Sequence, residues 1–408
     1  MVTTKPFKHE VTTKRLRRRV IGPIHDCYAV TSPGVEAICR REMTALGLNC
    51  RDASPETGGV AFKGRFVDCQ RANLHLRTAT RILMRITTFS ATNPRQLIRR
   101  CAAIPWELFI PAGQMPGINV TSRRSRLYHT DLVADTVRAG LTSRLGSPLE
   151  PQKNDFPQTL FARLVKDRVT FSLDSSGEPL YKRGLKIGPA RAPLRETLAA
   201  AILLAAGYDG RRPLVDPMCG SGTFSLEAAM LAKRMAPGGR RRFAFMNWPA
   251  FGERQWVFLK REAEMSGDVL HRPLIHASDL DANACKGLSE AADRNGLSDA
   301  INVSTKDFFD CNAGQYGGGP GLVTINPPYG IRIGSERQAM DLFQRICRHL
   351  KAAFSGWDVA LIVPHKTLLK SMPCPTRQVP LAHGGLNLTL CLGKIKDETK
   401  GLKAKRLF

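Results

Sequence analysis

Short apolar runs and amphipathic stretches divide the chain into two textures. From Asp26 to about residue 180 the runs alternate in mixed sizes. Tyr28–Val30 reads as strand and Ser32-Pro33-Gly34 breaks it. Val35, Ile38, Cys39, Met43 and Leu46 then recur near helical spacing. Gly59–Phe62 predicts another strand, and Leu74–Phe89 adds helix and strand pieces of similar size. Two alternating runs in Thr159–Glu178 predict a hairpin that turns at Lys166-Asp167 and closes at Ser175-Ser176-Gly177. The expectation is α+β with mixed strands.

After Gly184 the pattern changes. Ala192–Gly207 predicts a strong helix, with Pro193 early, Ala- and Leu-rich turns, and Gly207 at its end. Five short aliphatic or β-branched runs follow, at Pro213–Pro217, Pro273–Asp279, Ile301–Asp307, Gly321–Pro328 and Asp358–Pro364, with helical stretches between them. Strands buried on both faces of a parallel sheet have this composition. Thr376–Ile395 predicts two last strands around Gly384-Gly385. The fold class expected is α/β: a mostly parallel seven-stranded sheet with an antiparallel edge strand, preceded by smaller α+β domains.

Composition narrows the function. The 408 residues suit two or three domains, and 43% hydrophobic residues give enough apolar mass for cores. The net charge is +26. Residues 1–25 hold seven basic residues and one acid, and Lys394–Phe408 holds six and two, so most of the excess lies on the body between. A polyanion is the natural partner. The longest uncharged helical stretch, Thr197–Tyr208, is too short to cross a bilayer at about 20 residues. Eleven scattered cysteines, the closest pair being Cys39 and Cys50, form no C-x-x-C unit, so no metal site and no disulfide framework are expected. Reduced buried thiols and a cytoplasmic setting follow. The start lacks the apolar core of a secretory signal; its Arg/Thr-rich, nearly acid-free composition suits an organellar transit peptide or, the expectation taken, a disordered RNA-contacting or solubilising arm over 1–25.

Four loops carry the chemistry. In Val215–Phe224 a strand delivers Asp216 and the chain turns through Gly220 and Gly222 into a helix, which lets a ligand approach the backbone at the sheet's carboxyl edge. The third glycine of a dinucleotide fingerprint and the Lys of a phosphate loop are both missing. No basic residue lies between Asp216 and Thr223, so a zwitterionic ligand with a ribose and a cationic centre fits better than a pyrophosphate. At the end of a second strand Asp279 is placed to accept from ribose hydroxyls, while Asp281 suits a helix N-cap. After a third, Asp307 suits either an adenine amino group, with Phe308 covering the ring, or a turn cap.

Asn326-Pro327-Pro328-Tyr329-Gly330 follows the fourth strand. Consecutive prolines fix an extended turn. The Asn326 amide oxygen and the Pro327 carbonyl then converge on one NH2 group, and Tyr329 offers a face to the ring that carries it. An aromatic exocyclic amine is a poor nucleophile because its lone pair is delocalised. Two acceptors orient it and offset the charge that develops on nitrogen.

Together these residues resemble the class I S-adenosylmethionine-dependent methyltransferases. More narrowly, the chain resembles the THUMP-containing RNA guanine-N2 methyltransferases, the RlmL-like family that modifies 23S rRNA. The resemblance rests on LYKRG at 180–184, APLRETLAAAI at 192–202, DPMCGSGTFSLEAA at 216–229, the segment 236–248, SDLD at 278–281 and NPPYG at 326–330. It implies a Rossmann-like catalytic domain over 185–408, a ferredoxin-like region over 26–85 and a THUMP RNA-binding domain over 86–184. It implies S-adenosylmethionine as cofactor, held by Arg195, Thr197, Asp216, Pro217, Gly220, Gly222, Thr223, Asp279, Asp307, Phe308 and Asn326. Catalysis falls to Asn326, Pro327, Pro328 and Tyr329.

Two departures stand out: Ile331-Arg332 follows NPPYG where the family often has Glu-Arg, and a second methyltransferase domain is not present in the sequence. The reaction implied is methyl transfer to guanine N2 in 23S rRNA. Transfer to tRNA guanine, to adenine N6 in RNA or DNA, and to a glutamine amide use similar geometry. A non-catalytic RNA-binding factor predicts degraded glycine or NPPY loops, and neither is degraded. Arg123, Arg124 and Arg126 suit either an RNA-facing cluster or a solvated loop. Oligomeric state is open.

Overall fold

The computed structural model describes residues 11–50, 58–146, 149–151, 158–186, 194–317, 319–328, 336–363, 366–383 and 386–396. The chain divides into two units. One comprises Met1–Thr31, Cys39–Lys182 and Gly238–Glu262; the other comprises Ser32–Ile38, Arg183–Pro237 and Ala263–Phe408.

The first unit is built on strands β1 (His25–Val30), β2 (Asn49–Cys50), β3 (Gly59–Gly64), β4 (Arg81–Ser90), a short parallel pair β5 (Gln114–Met115) and β7 (Glu150–Pro151), β6 (Gly117–Arg123), β8 (Thr159–Val165) and β9 (Arg168–Asp174). Seven of them form one sheet in the order β2-β3-β1-β4-β9-β8-β6, antiparallel except for β6 beside β8. Its helices are α1 (Thr13–Leu16), α2 (Glu36–Ala45, which begins within the Ser32–Ile38 segment), α3 (Phe66–His75), α4 (Pro94–Ala102) and α5 (Thr130–Leu145). Alternate residues Cys27, Ala29, Ile82, Met84, Leu164, Val169, Phe171 and Leu173 are buried, and Trp106 packs 5.7 Å from Phe171.

Two expectations are corrected here. Residues 1–10 of the basic arm lie outside the described residues, and the remainder is not a disordered segment: Thr12 caps α1, a wide helical turn over Arg17–Ile21 continues it, Val20 is fully buried, and Arg15 pairs with Glu107 at 2.9 Å. Burial of one side chain and a long-range ion pair order what composition alone reads as solvated. The boundary placed between 85 and 86 falls inside β4, at a β-bulge between Arg85 and Thr87. Beyond the bulge β4 still pairs with β9 as far as Ser90 and Arg168, so one sheet runs through both regions. The hairpin turn came out where expected, with Lys166 and Asp167 at φ of 50° and 61°, the left-handed pair that a two-residue turn needs.

The second unit holds α6 (Glu196–Ala205), β10 (Leu214–Asp216), α7 (Thr223–Ala232), β11 (Ile275–Asp279), α9 (Ala282–Arg294), β12 (Ile301–Thr305), β13 (Leu322–Ile325), α10 (Glu336–Ala353), β14 (Asp358–Val363), β15 (Thr376–His383) and β16 (Leu386–Lys394); α8 (Glu253–Met265) ends in it. The sheet order is β12-β11-β10-β13-β14-β16-β15. Strands β10 to β14 are parallel, and β16 is antiparallel to both neighbours. The antiparallel member, expected at the edge, stands one place in, because the hairpin lays its second strand against β14 and leaves β15 outside.

Period-2 alternation supplies two cores from one sheet. Leu214, Ile275, Ala277, Leu322, Ala360 and Ile362 pack with Leu198, Ile202, Phe224 and Leu288. Val215, Val323, Ile325, Val359, Leu361 and Val363 pack with Phe308, Phe343, Ile346, Leu350 and Phe354. The near-continuous apolar strands therefore follow from helices on both faces.

Residues 238–262, which the sequence assigns to the catalytic domain over 185–408, cluster instead with the first unit. There Phe66 stacks on Trp248 at 5.5 Å, and Arg241 donates to the carbonyls of Glu178, Pro179 and Lys182 at 2.6–2.7 Å.

Candidate active site

The parallel strands of the second unit deliver the predicted acids and Asn326 to one edge. Val215 on β10 pairs with His276 on β11 and with Val323 on β13. Asp279 and Asn326 each lie three residues beyond those partners, so they stand level on either side of β10. Two strand spacings separate them, about 10 Å. Asp307 follows the end of β12, whose Thr305 pairs with Asp279.

Between them runs the turn from Asp216 to Thr223. The Cys219 amide donates to the Ser278 carbonyl at 3.0 Å, the Gly220 amide to Asp279 Oδ2 at 2.8 Å, and the Gly222 amide to the Cys219 carbonyl at 2.8 Å. Both glycines hold left-handed φ, 51° and 70°. They differ in what surrounds them. A Cβ on Gly220 would meet nothing within 4 Å, whereas one on Gly222 would lie 2.2 Å from Leu288 Cδ1. Gly220 therefore fronts open space, and Gly222 serves the packing of α7 against α9.

Asp279 braces this turn. Its Oδ2 accepts from Gly220 and its Oδ1 from the Asp281 amide at 3.0 Å, leaving one lone pair on each oxygen. Asp281 caps α9, as expected, accepting from Asn283 at 2.9 Å. Asp216 is 1% exposed and accepts from Ser225 Oγ at 2.7 Å. Burial pushes its carboxyl up to about 7, with the nearby Asp279 charge acting in the same direction and Ser225 opposing it. Pro217 is buried beneath the turn, and Thr223 opens α7.

Asn326 is half-buried, and its Oδ1 is buried with no hydrogen-bond partner. Pro327 is buried and Pro328 half-buried. Tyr329, Gly330 and Ile331-Arg332 lie outside the described residues. Thr197 Oγ1, in the first turn of α6, is likewise buried without a partner, while Arg195 is the exposed N-cap of that helix.

Asp307 Oδ1 accepts from the Phe309 amide at 3.0 Å, the cap that is one of its two readings. One expectation changes. Phe308 is a core residue, 1% exposed, with its ring 4.7 Å from His349 and 6.1 Å from Phe354, and has no free face for a ligand. The half-buried ring of that turn is Phe309, with Arg345 over it at 4.3 Å. Two residues escaped the sequence reading. Ser225 is nine positions from the carboxylate that it holds. Lys186 donates to Thr223 Oγ1 at 2.8 Å and pairs with Glu196 at 2.9 Å, bringing a cation to a turn that has none of its own. No local spacing signals either contact. Among the described residues no cluster suited to a metal ion occurs.

Comparison with known proteins gives this edge its chemistry. Residues 183–390 match the family model described as RMKL-like, methyltransferase domain. The chain belongs to the RMKL-like methyltransferase family. Residues 26–83 match the RlmL ferredoxin-like domain. The slr0064 protein of Synechocystis sp. (strain ATCC 27184 / PCC 6803 / Kazusa) is 34% identical over 370 residues, covering 89% of this chain and 95% of its own. The ribosomal RNA large subunit methyltransferase K/L of Syntrophotalea carbinolica is 33% identical over 84% of this chain, which spans only 50% of that protein's length. Among solved structures, SMU.472 complexed with SAH has a TM-score of 0.81 at 27% identity and covers 91% of this chain and 98% of its own. The similarity to SMU.472 therefore extends over most of the chain. All eleven cysteines are free, ten of them buried. No helix among the described residues is long and apolar enough to cross a membrane.

Proposed function

We propose that this chain transfers a methyl group from S-adenosylmethionine to the exocyclic N2 amine of a guanine in 23S rRNA, working in the cytoplasm. The observation that carries the reading is the Asn326 amide oxygen, buried and partnerless at the carboxyl end of β13. An acceptor left empty in a protein interior costs about 1–3 kcal/mol unless a ligand donor fills it. An exocyclic NH2 is such a donor, and the Pro327 carbonyl offers the second acceptor. Tyr329 is the stacking face in this reading.

The cofactor supplies a methyl group on a sulfonium centre. The chain's part is to hold and orient. Open space above Gly220 admits the ligand, the remaining lone pairs of Asp279 suit ribose hydroxyls, and Thr197 Oγ1 is a further unfilled polar atom. Asn326 fixes the amine so that its nitrogen faces the methyl carbon. No strong base is required: as the N–C bond forms and the methyl–sulfur bond breaks, its electron pair would stay on sulfur as a neutral thioether, and the amine becomes acidic and loses its proton to a nearby acceptor or water.

The RNA partner is supported by the K/L relative's name and by charge. On β6, β8 and β9, register places Asn119, Thr121 and Arg123 beside Phe161, Arg163 and Val165, and these beside Ser172, Thr170 and Arg168. The three arginines are exposed, and these nine positions include no acid. This patch lies within 86–184, the span assigned here to a THUMP RNA-binding domain.

Nucleoside mass spectrometry after incubation of the protein with labelled cofactor and 23S rRNA tests the reading. Label on N2-methylguanosine is expected, and label on N6-methyladenosine would move the activity to the alternative amine. Asn326→Ala should lower turnover by a factor on the order of 10², with a much smaller change in cofactor affinity, the pattern of a contact that is stronger in the transition state.

A further inference from the structure

Lys186 belongs to no motif read from the sequence, yet its ammonium stands at the first residue of the helix that follows the glycine turn. Nζ lies 2.8 Å from Thr223 Oγ1 and 2.9 Å from Glu196 Oε1, and Lys186 and Glu196 are each only 16% exposed. The segment that carries the lysine is anchored independently. Arg183, 2% exposed, donates to Glu227 Oε1 at 3.0 Å, and Glu227 lies one turn along α7 from Thr223. Bracing of residues 183–186 against α7 is therefore already provided. What Lys186 adds is charge: the two ionisable groups that hold the turn from beneath, Asp216 and Asp279, are both acids.

The geometry points to a seat for an α-amino-acid group. We propose that Lys186 binds the carboxylate of the cofactor's amino-acid end and that Glu196 binds its ammonium. The inference rests on the S-adenosylmethionine reading above. A zwitterionic ligand end matches an ion pair whose members are already held out of bulk water. Binding exchanges one Lys–Glu contact for two charge-assisted contacts of the same kind, with little further desolvation. The positive end of α7 favours the carboxylate on the same side. The buried, unpartnered Thr197 Oγ1, next to Glu196 in the chain, offers a third polar contact.

Two ligands that share the adenosine and thioether but differ in the amino-acid end separate this role from a structural one. Calorimetry on the full chain should compare S-adenosylhomocysteine with 5′-methylthioadenosine, which lacks that end. Lys186→Met should weaken S-adenosylhomocysteine by about tenfold or more, as for loss of a charge-assisted bond, and leave 5′-methylthioadenosine within about twofold. Retained binding of the second ligand also shows that the variant is folded. Glu196→Gln should act in the same direction, and Lys186→Arg should recover most of the loss. Equal weakening of both ligands would reduce Lys186 to a brace and overturn the proposal, as would unaltered affinity for S-adenosylhomocysteine. If the wild-type chain binds neither ligand, the cofactor reading itself fails and this inference falls with it.

Discussion

The main-chain amide of Gly220 donates to the Asp279 carboxylate at 2.8 Å, joining two residues 59 positions apart. The contact shapes the glycine turn, and in the function proposed above the carboxylate also accepts from a ribose.

Asp279→Ala should therefore lower both cofactor affinity and thermal stability. Sequence alone predicts lost affinity with an unchanged melting curve. Loss of charge-assisted acceptors is worth about 1.5–3 kcal/mol, and leaving the Gly220 and Asp281 amides unpaired adds to it. Asp279→Asn, which keeps one oxygen, should fall between. Calorimetry and a melting curve on each variant check this; an unshifted melting temperature in Asp279→Ala would refute the bracing role.

The two glycines should respond differently to alanine. Gly220→Ala incurs the left-handed strain, about 1–2 kcal/mol, and projects a methyl into open space. Gly222→Ala carries the same strain and also drives a methyl into Leu288, adding about 1–3 kcal/mol of overpacking. Denaturant titration should rank Gly222→Ala clearly below Gly220→Ala. Equal losses would mean that Leu288 yields freely.

Asp216 makes stability depend on pH in a direction opposite to that of a paired surface acid. Its folded value, about 7, is raised above the ordinary 3.8 by burial. The contribution is then fully present below about pH 3.8 and lost as pH rises through 7. Asp216→Asn keeps a neutral group and lacks the titration. Relative to wild type it should gain stability between pH 4 and pH 8, by an amount on the order of 3–4 kcal/mol. Paired unfolding curves across that range measure the difference, and a constant offset would contradict the assignment.

Arg123, Arg163 and Arg168 should carry part of the RNA affinity through phosphates. Replacing all three with Gln should flatten the slope of log affinity against log salt by about 2–3, with cofactor affinity unchanged. Fluorescence titrations at several salt concentrations measure the slope. An unchanged slope would place the RNA elsewhere.

The catalytic fold was legible because strands buried on both faces must be apolar throughout, and glycine turns and prolines mark where they end. Val215–Thr223, Ser278–Asp281 and Asn326–Pro328 carry that signal locally, since each follows its strand within a few residues. So does the Lys166-Asp167 turn, whose two left-handed residues close the hairpin as its pattern requires.

What sequence could not decide was everything set by distant partners. Phe308 and Phe309 are adjacent aromatics, and only packing against His349 and Phe354 makes the first a core residue. Nothing local marks Lys186 as the partner of Thr223, Ser225 as the partner of a carboxylate nine positions away, or segment 238–262 as part of the first unit. Thr13–Ile21 of the basic arm is helical for the same reason, with Glu107 paired to Arg15 and Val20 buried. Periodicity and turn chemistry act within a few residues, so the sequence by itself determined the strands, the turns and the class of chemistry. Desolvation and ion pairing act between segments brought together by folding, so only the tertiary structure decided which charges face the site and which groups hold its loops in place.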